Sequence, residues 1–547
     1  MYIYLGFVIF LVLFYFNGRG FLLLLNYIIF KKRTLPSKIL KTKTSNLYPI
    51  FGSLFIGNIL IILNYFFPLK NNVVFLILFL SFFPNFLKIE KLNLNIKFQN
   101  FFGYLFVPAI LTISSFNTGW HYDAGFYHLN QQNWLRDSEM IFGMVNIHWA
   151  FGMSSIAEYI SAILWLEGTF INLHYLNLMY IFSFYNILVS DLSSKELIIR
   201  NSSIMLLIFS IFDNFGLNGG RNGFIYIQGV GKQDVSVAIL FFFIARTILL
   251  ILNDRKFNKF EVNLLSLLTL FTIQIKLSSV FLIFLMVYFY WFILRESKNS
   301  FKTLLYINIP SIFFGFFWIL KQYLTTGCFI YPVNATCINT FTWYSANSTK
   351  AYEEITRNAS YSLSLYDYDI LLWLQEFMSF KINQTVTFNG LLSLLIIYSF
   401  SRVFYYRSNL NNQTKIVLFV FLIGNFIYLV NFGPTPRYLM GFILTSAYSI
   451  GLFSGKSKIG QLNIGVKNIL VIFSVVLVIR STSYIAMINQ NSSQLFDPRP
   501  IAEYVLQENG WLKPDTGDQC WINLECTMST HEIEIVNRRF YKAAYRN

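Results

Sequence analysis

Long apolar runs set the terms on which this chain can fold. About fourteen stretches of roughly 17–25 mainly apolar residues follow one another, each long enough to cross a hydrocarbon layer as a helix. Their centres fall near Val12, Leu60, Leu78, Pro108, Phe182, Leu207, Phe243, Leu268, Met286, Phe314, Leu395, Ile423, Leu444 and Val475. With 55% hydrophobic and only 12% charged residues among 547, the composition lies outside the soluble globular range. The expected fold is an all-α polytopic membrane protein of about 14 transmembrane helices. The first run has neither a basic n-region nor a small-residue cleavage site, so it reads as a retained span.

A net charge of +16 raises the question of nucleic acid. Lys and Arg, however, collect in short segments between the apolar runs, as orientation signals do, and no nucleic-acid partner is expected. Segments 31–43, 88–97, 253–260, 295–302, 402–415 and 455–467 are all basic. With both termini outside, all six fall on the cytoplasmic side of an inner (plasma) membrane, where the positive-inside rule puts them. The outer face then receives the segment around Trp120–Gly152, the 214–234 loop, the long 322–385 loop and the tail from Ser481. It also receives Cys328 with Cys337 and Cys520 with Cys526, two close pairs without zinc-ligand company, which suit small disulfide loops on an oxidising face.

Segment 154–170 is apolar, yet counting it as a span would reverse every later loop. Carrying Glu158 and Glu167, it reads as a helix at the outer interface or in a protein-lined cavity. Four units follow: a four-span unit at 1–117, an outer-face loop and interfacial helix at 118–174, a ten-span core at 175–482, and a small outer-face appendage at 483–547 with turn chemistry and a strand-like end. The midspan polar inventory looks thin, with charged groups at helix ends and outer loops.

The polar stretch Trp120–Gly152 holds Asp123, Asp137, Glu139, three of the five histidines (His121, His128 and His148) and Trp120, Trp134 and Trp149. At the end of the fourth span, Asp123 has three readings: a general base on an acceptor hydroxyl, a carboxylate holding a divalent metal (Mg or Mn) on a phosphate, or a helix cap. If the segment is a regular helix, Asp123, Tyr127 and Gln131 share a face, with Trp134 three further on and His128 one residue round. The histidine spacing matches no compact metal motif. The Gly-rich loop 216–234 carries Arg221, Lys232 and Asp234; it suits a phosphate, or it is simply a flexible turn, and it matches no nucleotide fingerprint. Lys276 and Arg437 sit near outer helix ends, where cations snorkel to headgroups or meet an anionic ligand. The 322–385 loop, with Trp343, Glu353, Glu354, Asp367 and Asp369, is long enough for a lid or acceptor platform.

The YDAGFYHLNQQNW stretch (122–134), with GKQD (231–234), IKLSS (275–279), GCFIYP (327–332), PRY (436–438) and the CWINLEC tail, resembles a family of uncharacterised bacterial polytopic membrane proteins. In layout the chain is similar, more loosely, to GT-C-type glycosyltransferases, which use polyprenyl-phosphate-linked sugars. In those enzymes an acidic residue of an early outer loop is catalytic or metal-binding. Here four spans precede that loop instead of one, so three helices would be an added amino-terminal unit. The resemblance implies an envelope-polysaccharide or glycolipid glycosyltransferase with Asp123 as base or metal ligand. Tyr127, His128, His148, Arg221, Lys232, Asp234, Lys276 and Arg437 would contact a lipid-linked sugar and a glycan or glycolipid acceptor, and Trp134 and Trp149 would stack on sugars. A polysaccharide polymerase or ligase, a flippase or transporter of a lipid-linked or anionic substrate, and an envelope scaffold are the alternatives.

Overall fold

The computed structural model describes residues 2–87, 101–114, 120, 122–165, 170–212, 232–296, 300–359, 371–372, 375, 411–432, 436–453, 466–479, 503–528, 532–539 and 541–546. The chain is mostly helical. Every expected span centre except Leu395, which lies outside the described residues, falls within a helix. Among the described residues, Tyr2–Phe30, Asp234–Asp254 and Leu277–Glu296 are long and apolar enough to cross a membrane, and the count of about fourteen spans is not reached by length and apolarity there. The pair Phe301–Ile307 and Ile309–Thr326, bent by 65°, makes a fourth if taken as one span. That bend has a local cause. Ser300 caps the first helix and Pro310 stands in the first turn of the second, where its missing N–H is harmless and its ring stops the preceding helix from continuing.

Helix Asp234–Asp254 is the axis of the fold. It is apolar all round and wholly covered by protein, chiefly by helices Ile171–Leu192, Lys259–Ile275, Asn412–Phe432 and Pro436–Phe453. On the periphery, Tyr2–Phe30 and Tyr48–Asn64 cross with their backbones touching. A Cβ on Gly18 would lie 1.8 Å from the Tyr48 carbonyl oxygen, and one on Gly52 2.1 Å from that of Phe14.

The two ends of the axial helix, about 30 Å apart at 1.5 Å per residue, differ in chemistry. At one end four of the basic segments meet. Lys41 Nζ pairs with Asp254 at 3.1 Å, Arg255 with Glu296 at 3.6 Å, and Asn411 donates to the Leu252 carbonyl. Glu261, which closes a capping box with Asn258, also accepts from the Leu40 N–H at 3.0 Å. Just inside this end Arg246, fully buried, forks onto both Asp191 oxygens at 2.6 and 2.8 Å, beside the Tyr448 ring. The thin midspan polar inventory therefore needs correcting. Two charges do lie within apolar helices, tolerated because each satisfies the other bidentately.

At the other end sits the polar unit from Trp120 onward, and the tail is built into it. Strand Lys542–Arg546 pairs in parallel with Ile141–Phe142 and antiparallel with Ile533–Asn537; a separate hairpin joins Tyr504–Leu506 to Leu512–Pro514. Cys520–Cys526 and Cys328–Cys337 are disulfides. The first presents Trp521, whose N–H donates to the Gly125 carbonyl at 2.9 Å, while Asn133 donates to the Ile522 carbonyl at 2.7 Å and Thr527 to that of Ile147. Between these layers lies Ile156–Ala162, a helix of seven residues, buried throughout and far too short to cross a bilayer.

Candidate functional site

The polar stretch is not a regular helix. Residues Ala124–His128 form a π turn, with i→i+5 bonding, before the α-helix Leu129–Asp137 begins. The π turn breaks the regular α-helical register between Asp123 and the helix that follows, and the expected alignment of Asp123 with Tyr127 and Gln131 is lost. Tyr127 packs on the His128 ring at 3.9 Å, and Gln131 turns to the far side, where its amide donates to the Phe151 carbonyl.

What Asp123 and His128 face comes from two other elements. Ser155 caps the Ile156–Ala162 helix, which carries Glu158 in its first turn, where the helix dipole favours a carboxylate. Lys232 and Gln233 precede the axial helix. Lys232 Nζ meets Asp123 Oδ2 at 2.5 Å. Glu158, 2% exposed, takes three side-chain donors: His128 Nδ1 at 2.6 Å, Gln132 Nε2 at 2.7 Å and Gln233 Nε2 at 2.7 Å. Trp165 locks the other end of the Gln132 amide, its indole N–H donating at 2.8 Å.

One turn further, Asp234, at the start of the axial helix, pairs with Lys276, which ends helix Lys259–Ile275. Lys276 is thus an ion-pair partner and not only a headgroup anchor. Glu158, Lys232, Gln132, Gln233, Asn177 and Tyr180 line a small polar cleft. Carboxylate and ammonium in one cleft can take a proton from a hydroxyl and hold an anionic oxygen.

Other candidates fall elsewhere. His148 caps the turn after it, Nδ1 accepting from the Ala150 N–H at 3.1 Å, and burial pushes its pKa down to about 4, so it is a neutral structural group. Trp134, 7% exposed, packs its ring against Trp511 at 6.2 Å and so offers no open face for a sugar to stack on. Trp149 is stacked between His148 and Tyr352. Asp137 pairs with Lys70, and Glu139 with Lys542 at 3.6 Å. Trp343 is buried, and Glu353 accepts from the Asn334 N–H. His121, Glu167, Arg221, Asp367 and Asp369 lie outside the described residues, as does the Arg437 side chain, although its backbone opens helix Pro436–Phe453. Among the described residues no three His, Cys, Asp or Glu side chains gather as a metal site, and Asp123 has Lys232 as its cation.

Glu158, Gln132 and Gln233 were not among the candidates read from the sequence. The only signal for Glu158 was an acidic residue in an apolar segment that cannot be counted as a span.

Fold and site together define a mostly helical, membrane-associated protein with a polar, disulfide-clasped unit over one end of its axial helix. Over residues 1–444 the chain matches the family described as a domain of unknown function, DUF8201, and it belongs to that family. No curated protein and no solved structure matches it.

Proposed function

We propose that this protein is a membrane glycosyltransferase of envelope polysaccharide or glycolipid synthesis, GT-C-like in layout, taking sugar from a polyprenyl-phosphate donor on the outer (periplasmic) face. The observation that carries the reading is the meeting of Glu158 and Lys232 in one cleft, at the end of the axial helix remote from the basic segments. The positive-inside rule then makes the cleft end the outer one. The acceptor hydroxyl oxygen attacks the anomeric carbon as its proton passes to Glu158, and the bond from that carbon to the phosphate oxygen breaks. The departing phosphate takes the bonding pair, and Lys232 lies closest to neutralise it, with Lys276 and the Arg221 and Arg437 segments as further sources of charge. His128 holds Glu158 in place. Asp123, first read as the base, is better cast as the residue that orients Lys232.

The test is transfer from a radiolabelled polyprenyl-phosphate sugar pool by the purified protein. Glu158→Gln should lower kcat by about 10²-fold or more, the range of a lost general base, and Lys232→Met should raise KM for the donor. Undiminished transfer by Glu158→Gln would sink the assignment. A carrier without chemistry is the second reading, since Arg246 and Asp191 put charge within apolar helices. Both groups are saturated by one another, however, which suits a structural lock better than a moving substrate site.

A further inference from the structure

Helices Leu129–Asp137 and Ile156–Ala162 have a second polar side, turned away from the Glu158 cleft. There Asn64, Gln131, Trp134, Ser154 and Lys321, each more than nine-tenths buried, line a separate small pocket with room for about a single water-sized group. Glu139, one-third exposed, lies at its solvent side. The orientations of the two amides are fixed by their donors: Gln131 Nε2 is spent on the Phe151 carbonyl, and Asn64 Nδ2 on the carbonyls of Leu135 and Ser138. Gln131 Oε1 and Asn64 Oδ1 are left as acceptors without a partner among the described residues, and the Trp134 Nε1–H donor and the Ser154 hydroxyl are likewise unpaired there. Lys321 holds its ammonium over the Trp318 ring at 4.4 Å and gives one N–H to the Ser154 carbonyl at 3.3 Å. An ammonium has three donors.

Buried polar groups in this number are costly unless something pairs them. The set specifies its occupant. Donors from Lys321 and Trp134 call for a group that accepts twice, and the Gln131 and Asn64 oxygens call for one that also donates. A bare anion cannot donate, and a metal cation cannot accept from Lys321 and Trp134. A hydroxyl does both and has the right size. We infer that this pocket is a hydroxyl subsite, receiving one hydroxyl of a sugar-class ligand whose ring lies toward Glu139. The ligand class rests on the glycosyltransferase reading; the hydroxyl rests on the pocket's own donors and acceptors.

The experiment uses the full-length protein in detergent and follows thermal unfolding with a methyl hexopyranoside and each of its monodeoxy counterparts. The parent glycoside should raise Tm, one monodeoxy member should lose that rise, and Lys321→Met and Trp134→Phe should abolish it. Each variant is first checked to unfold cooperatively without sugar, and Gln131→Leu is the substitute where one does not. Equal shifts across the deoxy series, equal shifts in all variants, or no shift with any glycoside would mean a site for ordered water only, and would overturn the proposal. Sugar transfer separates this failure from that of the function. Transfer by Lys321→Met with unchanged KM for the acceptor removes the subsite and leaves the transferase standing. Lys321-dependent binding by a wild-type protein that transfers no sugar does the reverse.

Discussion

His128 and Glu158, thirty residues apart in the chain, are joined by a 2.6 Å contact between the ring Nδ1 and the carboxylate Oε1, out of reach of solvent. The pair binds the π turn to the short buried helix, and with it the polar stretch to the rest of the outer unit. Because Glu158 has Gln132 and Gln233 as further donors, deleting the carboxylate strands three donor groups at once, two of them buried. Glu158→Ala should therefore cost on the order of 3 kcal/mol, whereas Glu158→Gln, which keeps the shape and one acceptor, should cost less. Chemical or thermal unfolding of the two variants in detergent checks the order. Equal stability of Glu158→Ala and wild type would refute it.

His148 makes stability depend on pH. Burial lowers its folded pKa to about 4 against an ordinary value near 6.5, so between these values the unfolded chain binds the proton more readily than the folded one. The contribution is complete above about pH 6.5 and is lost as pH falls toward 4, by on the order of 3 kcal/mol at most. His148→Asn keeps a cap acceptor and removes the titration. Its stability should fall less steeply than that of wild type over this window. Parallel pH profiles would count against the assignment.

Arg246 and Asp191 should behave as a unit. Arg246→Met alone leaves an uncompensated carboxylate in a site with no exposure and should cost about 3–5 kcal/mol, while Arg246→Met with Asp191→Leu should recover most of that loss. Yield of folded protein and Tm for the two single variants and the double variant form the measurement. Additive losses would show that the pair is not coupled.

The Cys520–Cys526 clasp holds Trp521 over Gly125, where an added Cβ would lie 2.6 Å from the indole ring. Replacing both cysteines by serine should cost about 2 kcal/mol through freedom gained by the unfolded chain. Gly125→Val should displace Trp521 even with the disulfide intact. Protease cleavage near residue 520 reports both changes, and resistance equal to wild type in Gly125→Val would contradict the close packing.

How far the sequence could be read depended on whether the signal was local. Apolar runs marked the helices because a helix is a local object, and four of the six basic segments meet at one end of the axial helix, around Asp254, Arg255 and Glu296. The stretch Trp120–Gly152 stood out as polar, and Asp123, His128, Lys232, Asp234 and Lys276 were among the candidates; the fold pairs Asp123 with Lys232, Asp234 with Lys276 and His128 with Glu158. Their pairing could not be read. A π turn has no pattern in AGFYH to betray it, yet it breaks the helical register between Asp123 and Gln131 in the segment from which His128 meets Glu158.

The sequence by itself determined a mostly helical, membrane-associated chain with a polar unit set apart from its apolar helices, because hydrophobicity and its interruption are summed along the chain. Tertiary structure alone decided which carboxylate meets a lysine and which takes histidine and amide donors. Lys232 and Gln233, adjacent in sequence, reach Asp123 and Glu158 from the start of the axial helix. That choice rests on distances of a few ångströms between segments 75 to 109 residues apart, and Coulomb and hydrogen-bond energies change steeply over such distances.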